Sequence, residues 1–395
     1  MGSRKISSLP EKATSTGTEE LLISDGGVSR KIKISNVGIT PSQTYGVDWN
    51  QSTDTYTSTG DHSGLPIQNA MKRCLLNDDG TVGAYLLSTN SSYLSTGEPA
   101  TLDGSAGQVM VEIPKFYYKK MLVGDIHSYQ ISFAAQDDFI VHPAFIKNGI
   151  EVPHRYFGAY EGYVLGGKLG SVSGQCPATY LTRSEFRSQA SSRGAGWRQT
   201  DFYLNSAVQL LYLVEYQDFN SQETIGMGRA EMSAGTWTCD SYLGISGKSN
   251  GDGNGTNSVA GNTNNAYMTY RGIENWYGNI RTFIDGVNIY YQQYYVSNDD
   301  TSFADDTTTG YVSIGTASSS SGYQDTLIDS VGFLPASVEA YSTTKIGDWY
   351  AQNSGDCVVL SGGNALNAFG AGVFSLYAYR NSSHWDVNVG SRVAF

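Results

Sequence analysis

Gly370-Ala-Gly-Val-Phe-Ser-Leu-Tyr-Ala-Tyr-Arg380 alternates strictly. After the connection Asn381-Ser-Ser-His-Trp-Asp386, Val387-Asn-Val-Gly-Ser-Arg-Val-Ala-Phe395 alternates again. A side-chain period of two belongs to a β-strand. In the first stretch Phe374, Leu376 and Ala378 point one way, and Ser375, Tyr377 and Tyr379 the other. Because the alternation runs to Phe395, the last residues are expected to be tied into a sheet and not frayed.

The rest of the chain agrees with a mostly β reading. Its 395 residues include 46 Gly and 28 Tyr but 9 Pro, and 16% are charged. Disorder is excluded, because disordered chains combine charge with few aromatics. Collagen is excluded by the lack of a glycine triplet, and a coiled coil by the lack of heptads. The net charge of −12 repels phosphate backbones, so nucleic acid is not an expected partner. No apolar run reaches the roughly 18 residues of a membrane span, so no membrane insertion is expected. Met1-Gly-Ser-Arg-Lys5 leads into polar residues, so no signal peptide is expected and synthesis is placed in a cytoplasm. Cys74, Cys176, Cys239 and Cys357 lie far apart and are expected as buried, reduced thiols.

Three regions are expected. Residues 1–42 form a small module: Glu20-Leu-Leu-Ile-Ser24, the turn Asp25-Gly-Gly27, and residues 28–35 with Lys31, Ile32, Lys33 and Ile34 alternating give a hairpin. It is too small to bury a core alone, and residues 38–42 read as its exit linker. Residues 43–165 read as short strands. The clearest is Val109-Met-Val-Glu-Ile-Pro-Lys-Phe-Tyr-Tyr118, where Pro114 suggests an edge or a bulge. A second covers residues 156–165. Residues 166–395 hold about two helices, 182–190 with a capping-box pair Thr182 and Glu185, and 202–216, both expected to cover a sheet. Residues 246–265, rich in Gly, Asn, Ser and Thr, read as a long surface loop. Further polar loops are expected at 297–310 and 316–322. The fold class is α+β, mostly β with long loops.

Motifs for catalysis fail on their spacing. Gly247-Lys248-Ser249 lacks the P-loop's first glycine, since Tyr242 stands there. Residues 250–255 imitate a calcium loop, but its twelfth position is Gly261. His62, His127, His142, His154 and His384 are dispersed, and no nucleophile elbow occurs. Asp137-Asp138, Asp299-Asp300 and Asp305-Asp306 read as solvated faces or occasional ion ligands. A glycan-cleaving enzyme would need two carboxylates from distant segments, which no spacing reveals. The expectation is no enzyme, no cofactor and no metal site.

What survives is a surface. Tyr377, Tyr379, Asn381, Ser382, Ser383, His384, Trp385 and Asp386 make one strand face and its turn. Tyr and Trp give rigid contact area, and Ser and Asn give adaptable hydrogen bonds. Such chemistry suits a protein or a sugar, since rings stack on sugar faces. Tyr377 and Tyr379 each either join this surface or pack beneath another loop.

Gly362-Gly-Asn364, Gly370-Ala-Gly-Val-Phe374 and Val389-Gly-Ser-Arg-Val-Ala-Phe395 resemble the C-terminal half of C-type lectin-like domains of phage and bacteria. These include variable proteins of diversity-generating retroelements and the formylglycine-generating-enzyme-like fold. Gly272-Ile-Glu-Asn-Trp-Tyr-Gly-Asn279 is similar to that fold's tryptophan-bearing element, and Val111-Glu-Ile-Pro-Lys-Phe116 to an early strand. Ile6-Ser-Ser-Leu-Pro-Glu-Lys-Ala13 and Gly27-Val-Ser-Arg-Lys-Ile32 resemble the attachment segment of phage tail and fibre proteins.

The resemblance implies a virion fibre or tail receptor-binding protein, an adhesin for a host cell-surface glycan or protein. Residues 1–42 would join other virion proteins, and the chain would form a homotrimer. The alternative is a structural virion component, such as a head fibre or baseplate protein. Carried over by position, the ligand-binding residues are Tyr377, Tyr379, Asn381, Ser383, His384, Trp385 and Asp386, with Asn364 and Asn367; Gly390 and Arg392 match structural positions. The lectin signatures Glu-Pro-Asn and Trp-Asn-Asp are absent, with Trp385-Asp-Val-Asn388 a partial echo, and the enzyme's cysteine pair is missing. Neither calcium-dependent sugar binding nor oxidase activity is therefore implied.

Overall fold

The computed structural model describes residues 20–25, 28–33, 43–352 and 355–395. The chain divides into two units, Met1–Gln43 and Thr44–Phe395. In the first, strands Glu20–Asp25 and Val28–Lys33 pair antiparallel with Asp25 opposite Val28. That register leaves a two-residue connection, as a tight hairpin requires. The attachment motif at 6–13, the Gly-Gly of the turn and the linker at 38–42 lie outside the described residues.

Strand accounts for 38% and helix for 13% of the structure, so the fold is mostly β. The second unit holds three large sheets, of five, seven and nine strands. One sheet curls into a half-barrel, and the nine-stranded sheet is the largest. Its centre is Gly372–Arg380, antiparallel to Cys357–Gly362 and parallel to Trp349–Gln352. In the seven-stranded sheet Val393–Ala394 lies between His154–Gly158 and Arg198–Gln199, so strands from before and after residue 165 share one sheet. The chain's end is tied in: Phe395 O accepts from Tyr156 N and from Arg155 Nε, both at 3.0 Å.

Gln108–Pro114 is a central strand, between Lys72–Leu76 and His154–Gly158, and not the edge that Pro114 suggested. Pro114 is its last residue, where a missing N–H interrupts no ladder. The helix Phe202–Tyr216 is a core element, not a cover. Asp201 caps it by accepting from Leu204 N at 2.8 Å, and Gln217 ends it in a left-handed conformation. Twelve of its fifteen residues are buried, the pattern of a helix surrounded on all sides. Around it the rings of Phe219, Phe333 and Tyr212 lie 4.8, 5.1 and 5.8 Å from that of Phe374. Such pairs add about 0.5–1.5 kcal/mol each beyond their burial. The second helix, Arg183–Ser191, begins with the capping box of Thr182 and Glu185.

Two further expectations are corrected. Residues 246–265 are not one surface loop: Lys248–Asp252 forms a 3-10 turn, and Asn257–Val259 pairs with Tyr267–Tyr270. Buried partners organise the polar residues there. Glu274 accepts from Gly247 N and from the backbone and hydroxyl of Ser249, while Arg73 donates to Ser249 and Asn250. Secondly, Cys176 and Cys239 form a disulfide, so only Cys74 and Cys357 are buried thiols. Arg392, fully buried, donates to the carbonyls of Gly158, Glu274 and Asn275 and so joins three segments.

Candidate binding site

The site forms where Gly372–Arg380 leaves the nine-stranded sheet. Both faces of this strand are covered. Leu376 and Ala378 enter one apolar cluster with Val359 and Ile284; Tyr377 enters another with Phe283, Leu360 and Val389. The alternation therefore separates two cores and not core from solvent, as happens when a sheet is packed on both sides. Tyr377 is 2% exposed, and the Arg281 guanidinium lies over its ring at 4.2 Å. It is buried beneath the site, which corrects its assignment as a contact residue.

Asn364 and Asn367 are also spent inside the fold. Asn364 is buried, and its Oδ1 accepts from Leu366 N. Asn367 Oδ1 accepts from Asn364 N at 2.7 Å and from Arg281 Nη2 at 3.1 Å. These amides hold their own turn, as Asn side chains do where the chain reverses.

The remaining predicted residues come together. Tyr379, Asn381, Ser383, His384 and Trp385 line an open depression of about 700 Å³. Asn381 Oδ1 accepts from the backbone and hydroxyl of Ser383, and Asn381 O accepts from His384 N at 3.1 Å. This turn presents His384 and Trp385 in succession. Trp385 is 57% exposed and Tyr180 56%, their rings 5.7 Å apart. Tyr180 is fixed there by its backbone N–H, which donates to Asp386 O at 3.1 Å. Asp386 does not line the depression; its Oδ1 accepts from Val387 N at 2.6 Å.

Three charged residues that the sequence reading left out complete the wall: Asp306, Asp356 and Arg380. Arg380 stacks on Tyr379 at 4.4 Å. Asp306 accepts a hydrogen bond from Ser382 Oγ. Its neighbour Asp305 pairs with Arg183 and Arg187, which draws the 297–310 segment onto the body of the protein. Phe303 and Tyr311, both buried, were the available signal that this polar stretch is anchored. Burial, and after it the charge of Arg380, holds His384 below the usual imidazole range, with Asp386 opposing. His384 is thus neutral near pH 7 and can both donate and accept. The depression offers exposed rings, two carboxylates, one stacked guanidinium and neutral donors. Among the described residues no group of three His, Cys, Asp or Glu is placed to hold a metal ion.

No protein-family model matches this chain, and no curated protein matches it in sequence.

Proposed function

We propose that this chain is a receptor-binding component of a phage virion, a fibre or tail adhesin that recognises a host cell-surface glycan or protein without catalysis. The observation that carries the reading is the open aromatic-polar depression made by residues 379–385. Exposed Trp and Tyr beside Ser, Asn and carboxylate groups is the composition of adaptable recognition surfaces. The motif resemblances at 111–116, 272–279 and 362–395 support a C-type lectin-like fold for Thr44–Phe395. The separate N-terminal unit is consistent with attachment to other virion proteins. A homotrimer belongs to the same proposal, since repeated weak contacts gain from avidity.

The test is adsorption of the Tyr379→Ala/Trp385→Ala double variant to host cells. Loss of adsorption with an unchanged melting temperature is expected. A folded variant that adsorbs normally sinks the proposed site.

One observation favours the second reading, a structural virion protein. Met121, Val123 and Ile126 are exposed on one face of the paired strands Tyr117–Val123 and Ile126–Ser132, where Val123 stands opposite Ile126. A contiguous apolar surface of this kind marks assembly contacts. Imaging of the particle separates the readings: if another virion protein covers residues 371–395, the receptor role fails.

A further inference from the structure

The depression at residues 379–385 does not end at its wall. Strand Arg281–Tyr290 pairs with Cys357–Gly362, with Ile289 opposite Cys357. The next residue outward on each strand is Asp356, which lines the depression, and Tyr290. Both lie two positions beyond the pair Val358 and Asn288 and so share its face of the sheet. Val358 belongs to the apolar cluster on which Tyr379 packs, so Tyr379, Asp356 and Tyr290 follow one another along one face. Two strand spacings, about 10 Å, separate the strands that carry Tyr379 and Tyr290. Asn288 donates to the carbonyls of Ala304 and Thr307, which sets the segment carrying Asp306 along the inner side of this path.

The path ends on a tight hairpin. Tyr290 pairs with Gln293, which leaves Tyr291 and Gln292 as a two-residue turn with φ of 46° and 61°. Positive φ at both central residues favours Asn-Gly, and a bulky ring is disfavoured there. Tyr291 is 68% exposed, its ring edge-on to that of Tyr290 at 4.6 Å. Among the described residues it joins no apolar cluster. Core packing therefore does not account for a tyrosine in a turn that resists one, and a strained residue without a packing role points to function.

The chemistry along the path favours one class of occupant. Arg380 and Asp356 line the same depression, and among the described residues neither side chain makes a hydrogen bond or an ion pair. A guanidinium only donates and a carboxylate only accepts, and a hydroxyl satisfies either. Exposed rings, Trp385 at one end and Tyr290 and Tyr291 at the other, offer faces on which sugar rings stack. No aliphatic side chain lines the depression, whereas a protein partner docks on a contiguous apolar centre.

We propose that the ligand is a glycan chain of several sugars that runs from Trp385 across Asp356 to Tyr291, so that the hairpin tip is a second subsite of the same site. The proposal rests on the adhesin reading and narrows it. The probes are host cells and polysaccharide extracted from their surface, used with the full chain. Tyr291→Asn/Gln292→Gly places the favoured residues in the turn, so its melting temperature should equal or exceed that of wild type while adsorption weakens about tenfold. A turn with a merely structural role would show no such loss. Periodate, which cleaves vicinal diols, should abolish adsorption of the wild type to treated cells, and protease treatment of the cells should not. Fragments of several sugars from the hydrolysed polysaccharide should compete at least about tenfold better than its single sugars, since they engage both subsites at once. The proposal is overturned if folded Tyr291→Asn/Gln292→Gly adsorbs like wild type, if single sugars compete equally well, or if protease and not periodate removes adsorption, which assigns a protein partner. Loss of adsorption in Tyr379→Ala/Trp385→Ala beside normal adsorption of Tyr291→Asn/Gln292→Gly removes the extension alone; a wild-type chain that adsorbs to no cell removes the adhesin reading as well.

Discussion

Gly372 is glycine because the Asp348 carboxyl occupies the space where a Cβ would stand. Asp348 is fully buried, its Oδ2 accepting from Phe374 N at 2.7 Å. Burial pushes its pKa from 3.8 up to about 8, against the backbone hydrogen bonds of Phe374 and Ser375. A carboxyl with a raised folded pKa favours the fold fully below its unfolded value. That contribution is lost as pH rises from 3.8 through 8, by at most about 1.4 kcal/mol per pH unit. His127 and His142 act oppositely: burial lowers them to about 4 and about 3. Their contribution is complete above pH 6.5 and declines as pH falls. Asp348→Asn should therefore flatten the fall in melting temperature between pH 6 and 9, and parallel profiles for variant and wild type would refute this account. Gly372→Ala should cost about 1–3 kcal/mol by overpacking, read from denaturant unfolding. Neither effect was legible in the sequence, where Asp348 is one acid among many and Gly372 one glycine of 46.

At the scale of elements, periodicity gave the strand Gly372–Arg380 and the helices Arg183–Ser191 and Phe202–Tyr216 nearly to the residue. What it did not give is the number of layers around them. Tyr377 was misassigned because a period of two looks the same whether the second face meets water or another core. The tie between Cys176 and Cys239 escaped for a similar reason, since pairing across 63 residues is a property of tertiary contact. By loop-closure entropy that crosslink stabilises the fold by about 4 kcal/mol. Cys176→Ser/Cys239→Ser should accordingly lower the unfolding free energy by about 2–4 kcal/mol; equal stability of variant and wild type would show that the bond carries no load. Arg183 does comparable work without a covalent bond. Fully buried, it donates to Asp305, Asn288 and the carbonyls of Ile284 and Val287. Removing one member of such a buried network costs about 3–5 kcal/mol. Arg183→Met should also raise hydrogen exchange across residues 297–310, and with it disturb Asp306 at the binding depression.

For the whole molecule, composition was informative about class but silent about assembly. The 28 tyrosines divide between scaffold and surface, and Tyr45, Tyr160, Tyr212, Tyr270, Tyr277 and Tyr294 are among the largest fully buried side chains. Aromatics thus serve mainly as core, and the exposed pair Tyr180 and Trp385 comes from segments 205 residues apart in sequence. Only the Trp385 side of that pair was legible, because Tyr180 arrives through a backbone hydrogen bond to Asp386. The division at Gln43 and Thr44 carries the last prediction. All three large sheets and all four helices among the described residues lie within Thr44–Phe395. A chain starting at Thr44 keeps every one of those pairings, so its melting temperature should match that of the full chain. If residues 1–42 attach the protein to the particle and 379–385 bind the receptor, the truncated protein should still bind cells but fail to enter virions. Cell binding should persist at high salt, because rings and neutral hydrogen bonds are not screened as exposed charges are. Truncated protein that enters particles normally would remove the attachment role, and binding that collapses with salt would move the contact from the rings to Asp306, Asp356 and Arg380.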